Sequence, residues 1–148
     1  MLIAGAEPPT STRETIPPPA DTTEAIRIDP RDDFAYGTRA AAHYLMSNYD
    51  QAVADFTEAI RITPRDAKRY VARGWAYYKL LKTASALSDA DHAIALSPTN
   101  PTSHELRAYI HERLGRRDDA IADLRAALRV DPRRQESRKA LQRLGAQP

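Results

Sequence analysis

Four prolines, Pro30, Pro64, Pro98 and Pro132, stand 34 residues apart without a slip. Each closes a similar phrase: Ala25-Ile26-Arg27-Ile28-Asp29, Ala59-Ile60-Arg61-Ile62-Thr63, Ala93-Ile94-Ala95-Leu96-Ser97 and Ala127-Leu128-Arg129-Val130-Asp131. A fixed period of this length marks a repeat array, in which each unit buries its apolar face only against its neighbours. The chain should therefore grow in one direction, unit upon unit.

Between the prolines, the apolar spacing is helical. Tyr36, Ala40 and His43 share one face, and after a break at Ser47-Asn48 a second stripe runs Ala52, Val53, Phe56, Ala59, Ile60. The next units repeat it with Tyr70, Gly74, Tyr77 then Ala86, Leu87, Ala90, Ala93, Ile94, and with His104, Ala108, His111 then Ala120, Ile121, Leu124, Ala127, Leu128. Steps of three and four residues are the helix period. Asp32, Asp66 and Asn100, the last followed by Pro101, can cap the first helix of each pair. The small residues Ala40, Gly74 and Ala108 face Ala52, Ala86 and Ala120, which lets paired helices approach closely.

Aromatic, small residue, aromatic, then Ala, large apolar, Ala and a final Pro is a pattern that resembles the tetratricopeptide repeat. Tyr70-Val71-Ala72-Arg73-Gly74-Trp75-Ala76-Tyr77-Tyr78 with Ala86, Ala93 and Pro98 is its best copy. The resemblance implies an all-α fold, a right-handed α-solenoid of antiparallel helix hairpins. It divides the chain into a half-repeat (21–30), three full repeats (33–66, 67–100, 101–134) and a capping helix (135–144). In the half-repeat, Asp21 or Thr22 can cap a short helix running to Ile28. Arg39, Arg73 and Arg107 depart from the family's frequent Leu, a substitution that an Arg stem can accommodate by packing. Leu81 replaces the usual Gly between helices, and His104 and His111 replace aromatics, so the third repeat is expected to pack more loosely.

Residues 1–20 hold five of the 11 prolines and read as an extended or polyproline-like segment rather than a packed one. Ala4-Gly5-Ala6 has the small-x-small form of a signal-peptidase site, which makes the periplasm the alternative to an expected cytoplasmic location. The excess of Arg over Lys suggests a GC-rich bacterial coding sequence. Cys is absent, which excludes disulfides, thiolate metal sites and a Cys nucleophile. No run approaches the roughly 20 apolar residues a membrane span needs.

Neither a P-loop nor a G-x-S-x-G, G-x-G-x-x-G or H-E-x-x-H motif is present. His104 and His111 lie two turns apart, too far to chelate one ion together, and read as core substitutes for aromatics. Asp89 and Asp91 read as residues of a solvated helix face. Catalytic residues, metal sites and cofactors are accordingly none, and the chain is expected not to be an enzyme. The net charge of +2 argues against broad capture of nucleic acid, and Arg133, Arg134, Arg138, Lys139 and Arg143 read as a solvated lid.

The face of the first helices not used for packing points to a partner-binding groove. The resemblance places Phe34, Tyr44, Lys68, Val71, Trp75, Tyr78, Lys79, Tyr109 and Arg113 there. Trp and Tyr are frequent anchors of binding energy, although Tyr44 and Tyr78 can equally brace neighbouring helices. Some family members clamp a partner's C-terminal carboxylate with Lys, Asn and Arg. The matching positions here, Gly37, Ala41, Ala72, Thr102 and Leu106, cannot. The expected function is thus a scaffold or adaptor for a protein or peptide partner. The alternatives are self-association through Ala25, Ile26 and Ile28, which lack a partner first helix, and a helper subunit of a larger enzyme or envelope complex.

Overall fold

A computed structural model describes residues 19–148, and among them every regular element is a helix. The order is α1 (Pro19–Ile28), α2 (Asp33–Leu45), α3 (Tyr49–Ile62), α4 (Ala67–Lys79), α5 (Thr83–Leu96), α6 (Pro101–Arg113), α7 (Arg117–Val130) and α8 (Gln135–Arg143). The pairs α2–α3, α4–α5 and α6–α7 form hairpins that stack in chain order into a solenoid. Helix α1 packs on α2 in the place of a second helix, and α8 covers the far end against α7.

The proline beat works by ending second helices. The backbone N–H of Asp29, Thr63, Ser97 and Asp131 closes the last turn on the carbonyl of Ala25, Ala59, Ala93 and Ala127, and proline follows at once. Proline has no N–H to continue the ladder. Asp32, Asp66 and Asn100 cap the following helices through bonds accepted from Ala35, Lys68 and Thr102 N–H. Each hairpin turns through a left-handed residue at the same repeat position: Ser47 (φ 62°), Leu81 (φ 60°) and Gly115 (φ 72°). The next N–H reaches back to the His43, Tyr77 and His111 carbonyls, as a Schellman turn requires.

Helix α1 starts two residues earlier than expected. Proline is pre-organised for a first turn, so Pro19 opens the helix, and the Thr22 and Thr23 hydroxyls donate back to its carbonyl instead of capping. The polyproline reading of the preceding stretch and the signal-peptidase reading of Ala4-Gly5-Ala6 lie outside the described residues.

Ala40, Ala52, Ala86, Ala90, Ala120 and Ala127 are buried where helices cross. A Cβ on Gly74 would lie 2.6 Å from Leu106 Cδ2, so glycine here sets the approach of α6 to α4. The third repeat does not pack loosely. Leu106, Ile110, Leu124 and Leu141, the largest fully buried apolar side chains among the described residues, all belong to it and to the lid. His104 and His111 are themselves held against the buried Asp123 of α7.

A polar ladder runs through this apolar stack. Arg39, Arg73 and Arg107 each donate two bonds to one carboxylate, Asp55, Asp89 and Asp123, at 2.7–2.9 Å. The remaining guanidinium nitrogen reaches the preceding second helix, at Thr23, Thr57 and Asp91 respectively. Each arginine thus staples three helices. Asp89 is therefore not on a solvated face; it is only 4% exposed, because Arg73 both covers and neutralises it. The carboxylates hold all three guanidinium groups further above their usual range. His43 and His111 face the same carboxylates at 3.9 and 3.7 Å, and His104 faces Asp123 at 3.3 Å.

Candidate functional site

The first helices α2, α4 and α6 lie side by side and form one wall of the solenoid. Against that wall lies an open cavity of about 770 Å³, lined by Ala41, Tyr44 and Leu45 of α2, Ala72, Trp75, Tyr78 and Lys79 of α4, and Glu105 and Tyr109 of α6, with Phe56 behind and Glu136 of α8 at one end. The helix period explains the set. Residues 41, 44 and 45, residues 72, 75, 78 and 79, and residues 105 and 109 each follow helical spacing along one face.

Three rings form the centre. Trp75 meets Tyr78 at 5.5 Å and Tyr109 at 5.4 Å between centroids, both edge to face, and Tyr78 meets Tyr109 at 6.5 Å. Such pairs hold one another in fixed orientation. Arg113 lies over the Tyr78 ring, 3.4 Å from its centroid, and donates to the Tyr78 carbonyl. Tyr44 is steadied by an edge contact with Tyr49 at 5.3 Å. Burial pushes the Tyr44 and Tyr109 phenols above their ordinary range, since a phenolate would lose hydration there.

The lid helps build this wall. Arg134 and Ser137 donate to the buried Glu105 carboxylate, and Arg143 donates to Glu112. Lys139 pairs with Glu136 and Arg133 with Asp131. The basic C-terminal residues are thus largely engaged by acids of the chain itself; Arg138 has no such ion pair among the described residues.

Of the residues expected in the groove, Tyr44, Trp75, Tyr78, Lys79 and Tyr109 line the cavity together. Val71 does not. Helix α6 covers it, and it is buried in the core with Leu106 and Ile110. Phe34 is 72% exposed and lines a separate recess of about 200 Å³ with Thr22 and Ala25 of α1. Lys68 is exposed at the start of α4, and Arg113 reaches the site by packing on Tyr78 rather than by lining the cavity. At the N-terminal edge, Ala25 and Ile26 are half-buried against α2, whereas Ile28 is 72% exposed.

Sequence reasoning missed the Glu105–Arg134–Ser137 bonds, which join residues about 30 apart and leave no local signal. It also missed the Arg–Asp ladder, whose signal was present: Asp recurs at 55, 89 and 123 on the proline period. Of the carboxylate-clamp positions, Gly37 is covered by the Arg69 guanidinium and Leu106 is fully buried, so neither faces the cavity. Among the described residues no three His, Asp or Glu side chains converge to hold a metal ion, and no helix is long and apolar enough to cross a membrane.

Stacked hairpins of this period are the architecture of tetratricopeptide-repeat proteins, and the chain is similar to that family. The family's sequence model, tetratricopeptide repeat, matches residues 35–66 and 101–134. No curated protein matches the chain in sequence. Among solved structures, it is similar to the TPR domain of Arabidopsis OM64, with 27% identity and a TM-score of 0.75, covering 76% of this chain and 93% of that one. It also resembles the first TPR of Spaghetti (RPAP3) bound to an HSP90 peptide, SRMEEVD, with 22% identity, a TM-score of 0.74, and 79% and 93% covered. TTC0263, a thermophilic TPR protein of Thermus thermophilus, shares 22% identity with a TM-score of 0.76 over 85% of this chain and 70% of that one. These last two likenesses establish the fold.

Proposed function

We propose that the chain is a protein-binding adaptor that holds a partner's peptide segment or helix in the aromatic groove of α2, α4 and α6. One observation carries this reading. Trp75, Tyr78 and Tyr109 fix one another at the floor of an open cavity whose remaining lining is largely apolar. Rigid aromatic rings offer large contact area at little entropic cost, and a preformed site avoids the cost of ordering. That a structural neighbour is bound to an HSP90 peptide supports peptide binding as a use of this fold. It does not extend to the same peptide, because Gly37, Ala41, Ala72, Thr102 and Leu106 offer no cationic clamp for a terminal carboxylate.

The test is a random peptide library panned on the native chain. Selected peptides should bind Trp75→Ala at least about thirtyfold more weakly, the loss expected of a hot-spot residue worth about 2 kcal/mol. Undiminished binding to Trp75→Ala would remove the groove from the function.

A second reading rests on Ile28 and Phe34, both 72% exposed at the α1 end of the described stack. Together with Ala25 and Ile26 they offer an apolar edge that a second copy could cover. Light scattering over a range of concentrations tests it: self-association that Ile28→Glu abolishes supports the edge, and a monomer at high concentration refutes it.

A further inference from the structure

We propose that residues 1–18 of this same chain, the proline-rich segment preceding α1, dock in the aromatic groove and occupy it until a partner displaces them. This rests on the peptide-binding reading above and names an occupant for it.

Three observations lead there. The first is place. Arg39, midway along α2, donates to Thr23, midway along α1, and only a short turn joins Ile28 to Asp33, so the two helices run antiparallel. Residues 34, 38, 41 and 45 follow one face of α2 in steps of four, three and four. Beyond Thr38 that face continues to Ala41 and Leu45, which line the groove. The segment thus joins α1 at the end nearest the groove's α2 side.

The second is reach. Eighteen residues in polyproline form, at about 3.1 Å each, span roughly 55 Å. Crossing α2, α4 and α6 needs roughly 20 Å at the usual 8–10 Å between packed helices. The segment can cross the groove with slack left for the connection.

The third is chemistry. Pro8-Pro9 and Pro17-Pro18 carry no N–H, so covering them in a site with few acceptors leaves no orphaned donor. Proline-rich segments dock on aromatic-lined grooves because their extended form is already low in entropy. The groove is lined by five aromatic rings, four of them on α2, α4 and α6, together with Lys79 and Glu136, and the segment carries Glu7, Arg13 and Glu14. Tethering places the segment at an effective concentration of about millimolar, so a weak intrinsic affinity is enough to fill the site.

The composition of the chain makes the test direct. It has no cysteine and one tryptophan, so a nitroxide on Ser11→Cys is unique and the indole N–H resonance belongs to Trp75 alone. In the 15N-labelled full chain, the nitroxide should reduce that resonance, and ascorbate should restore it. Replacing Pro8, Pro9, Pro17 and Pro18 with Gly should abolish most of the loss, which separates docking from the random visits of a tethered chain. A mixed sample, with nitroxide on unlabelled chains and 15N on unmodified ones, should show no loss. Equal loss with the glycine segment, or none with the native one, overturns the proposal. Loss in the mixed sample overturns it in favour of a second copy's segment. If docking fails while Trp75→Ala still weakens selected peptides, only this inference falls. If docking holds while those peptides bind Trp75→Ala undiminished, the groove serves the segment alone and the adaptor reading falls.

Discussion

Leu81 carries the left-handed turn of the second hairpin at φ 60°, where the third hairpin has Gly115. A side chain in that region costs roughly 1–2 kcal/mol, partly offset by the greater unfolded-state freedom of glycine. Leu81 is 71% exposed, so its removal forfeits little burial. Leu81→Gly should stabilise the chain by about 0.5–1 kcal/mol, read as a higher urea midpoint at constant slope. The Arg73–Asp89 pair makes the opposite case. Removing one partner strands a buried charge, so Arg73→Leu should cost about 3 kcal/mol. Replacing both by apolar residues of similar size should recover most of that loss, because the cost lies in the unpaired charge rather than in the missing attraction. A double-mutant cycle by chemical denaturation measures both. The arginines were visible in the sequence as departures from the family pattern, and their stems were expected to pack. Their carboxylate partners are marked only by the recurrence of Asp at 55, 89 and 123, because a pairing 16 residues away across a hairpin has no helical spacing to announce it.

At the scale of helices, close approach is decided by what is absent. An added Cβ on Gly74 would meet Leu106 Cδ2 at 2.6 Å and Asp89 Cβ at 3.4 Å. Gly74→Ala gains helix propensity, about 0.8–1.0 kcal/mol, but must push α6 or the Asp89 helix aside at a typical cost of about 1–3 kcal/mol. Overpacking wins on these magnitudes, and the thermal midpoint should fall, with Trp75 fluorescence reporting the shift of α4 against α6. The lid helix α8 is short and polar, yet Leu141 is fully buried on α7 and Arg134, Ser137 and Arg143 bond to α6. Leu141→Ala should cost about 2–5 kcal/mol by cavity formation, measurable by denaturation. The lid was legible in the sequence as Ala140, Leu141 and Leu144 on one face. Its second role, holding Glu105 in the groove wall, depends on a contact that only stacking of the whole third unit creates.

For the whole molecule, stability should follow position along the stack, because each hairpin leans only on its neighbours. Among the described residues helix α1 packs chiefly on α2, is half-exposed, and contributes only Thr22 to the buried set, whereas α4 and α5 are covered by hairpins on both sides. Native-state hydrogen exchange should therefore show α1 opening first and α4–α5 last; uniform protection throughout would mean that the array unfolds as one unit. The proline beat, the helix period and the capping residues determined the elements of this protein by themselves, since each depends on backbone chemistry within a few residues. The family pattern added the order of packing and the inner face, which brought Tyr44, Trp75, Tyr78, Lys79 and Tyr109 within reach of prediction. Only the tertiary structure decided that Val71 belongs to the core and Phe34 to the recess beside α1. It also decided that Asp55, Asp89 and Asp123 are buried partners of arginine. The physical reason is the same in each case. A side chain's face follows from its own helix, but what covers that face depends on how far neighbouring repeats rotate and shift, and that follows from packing across the whole stack.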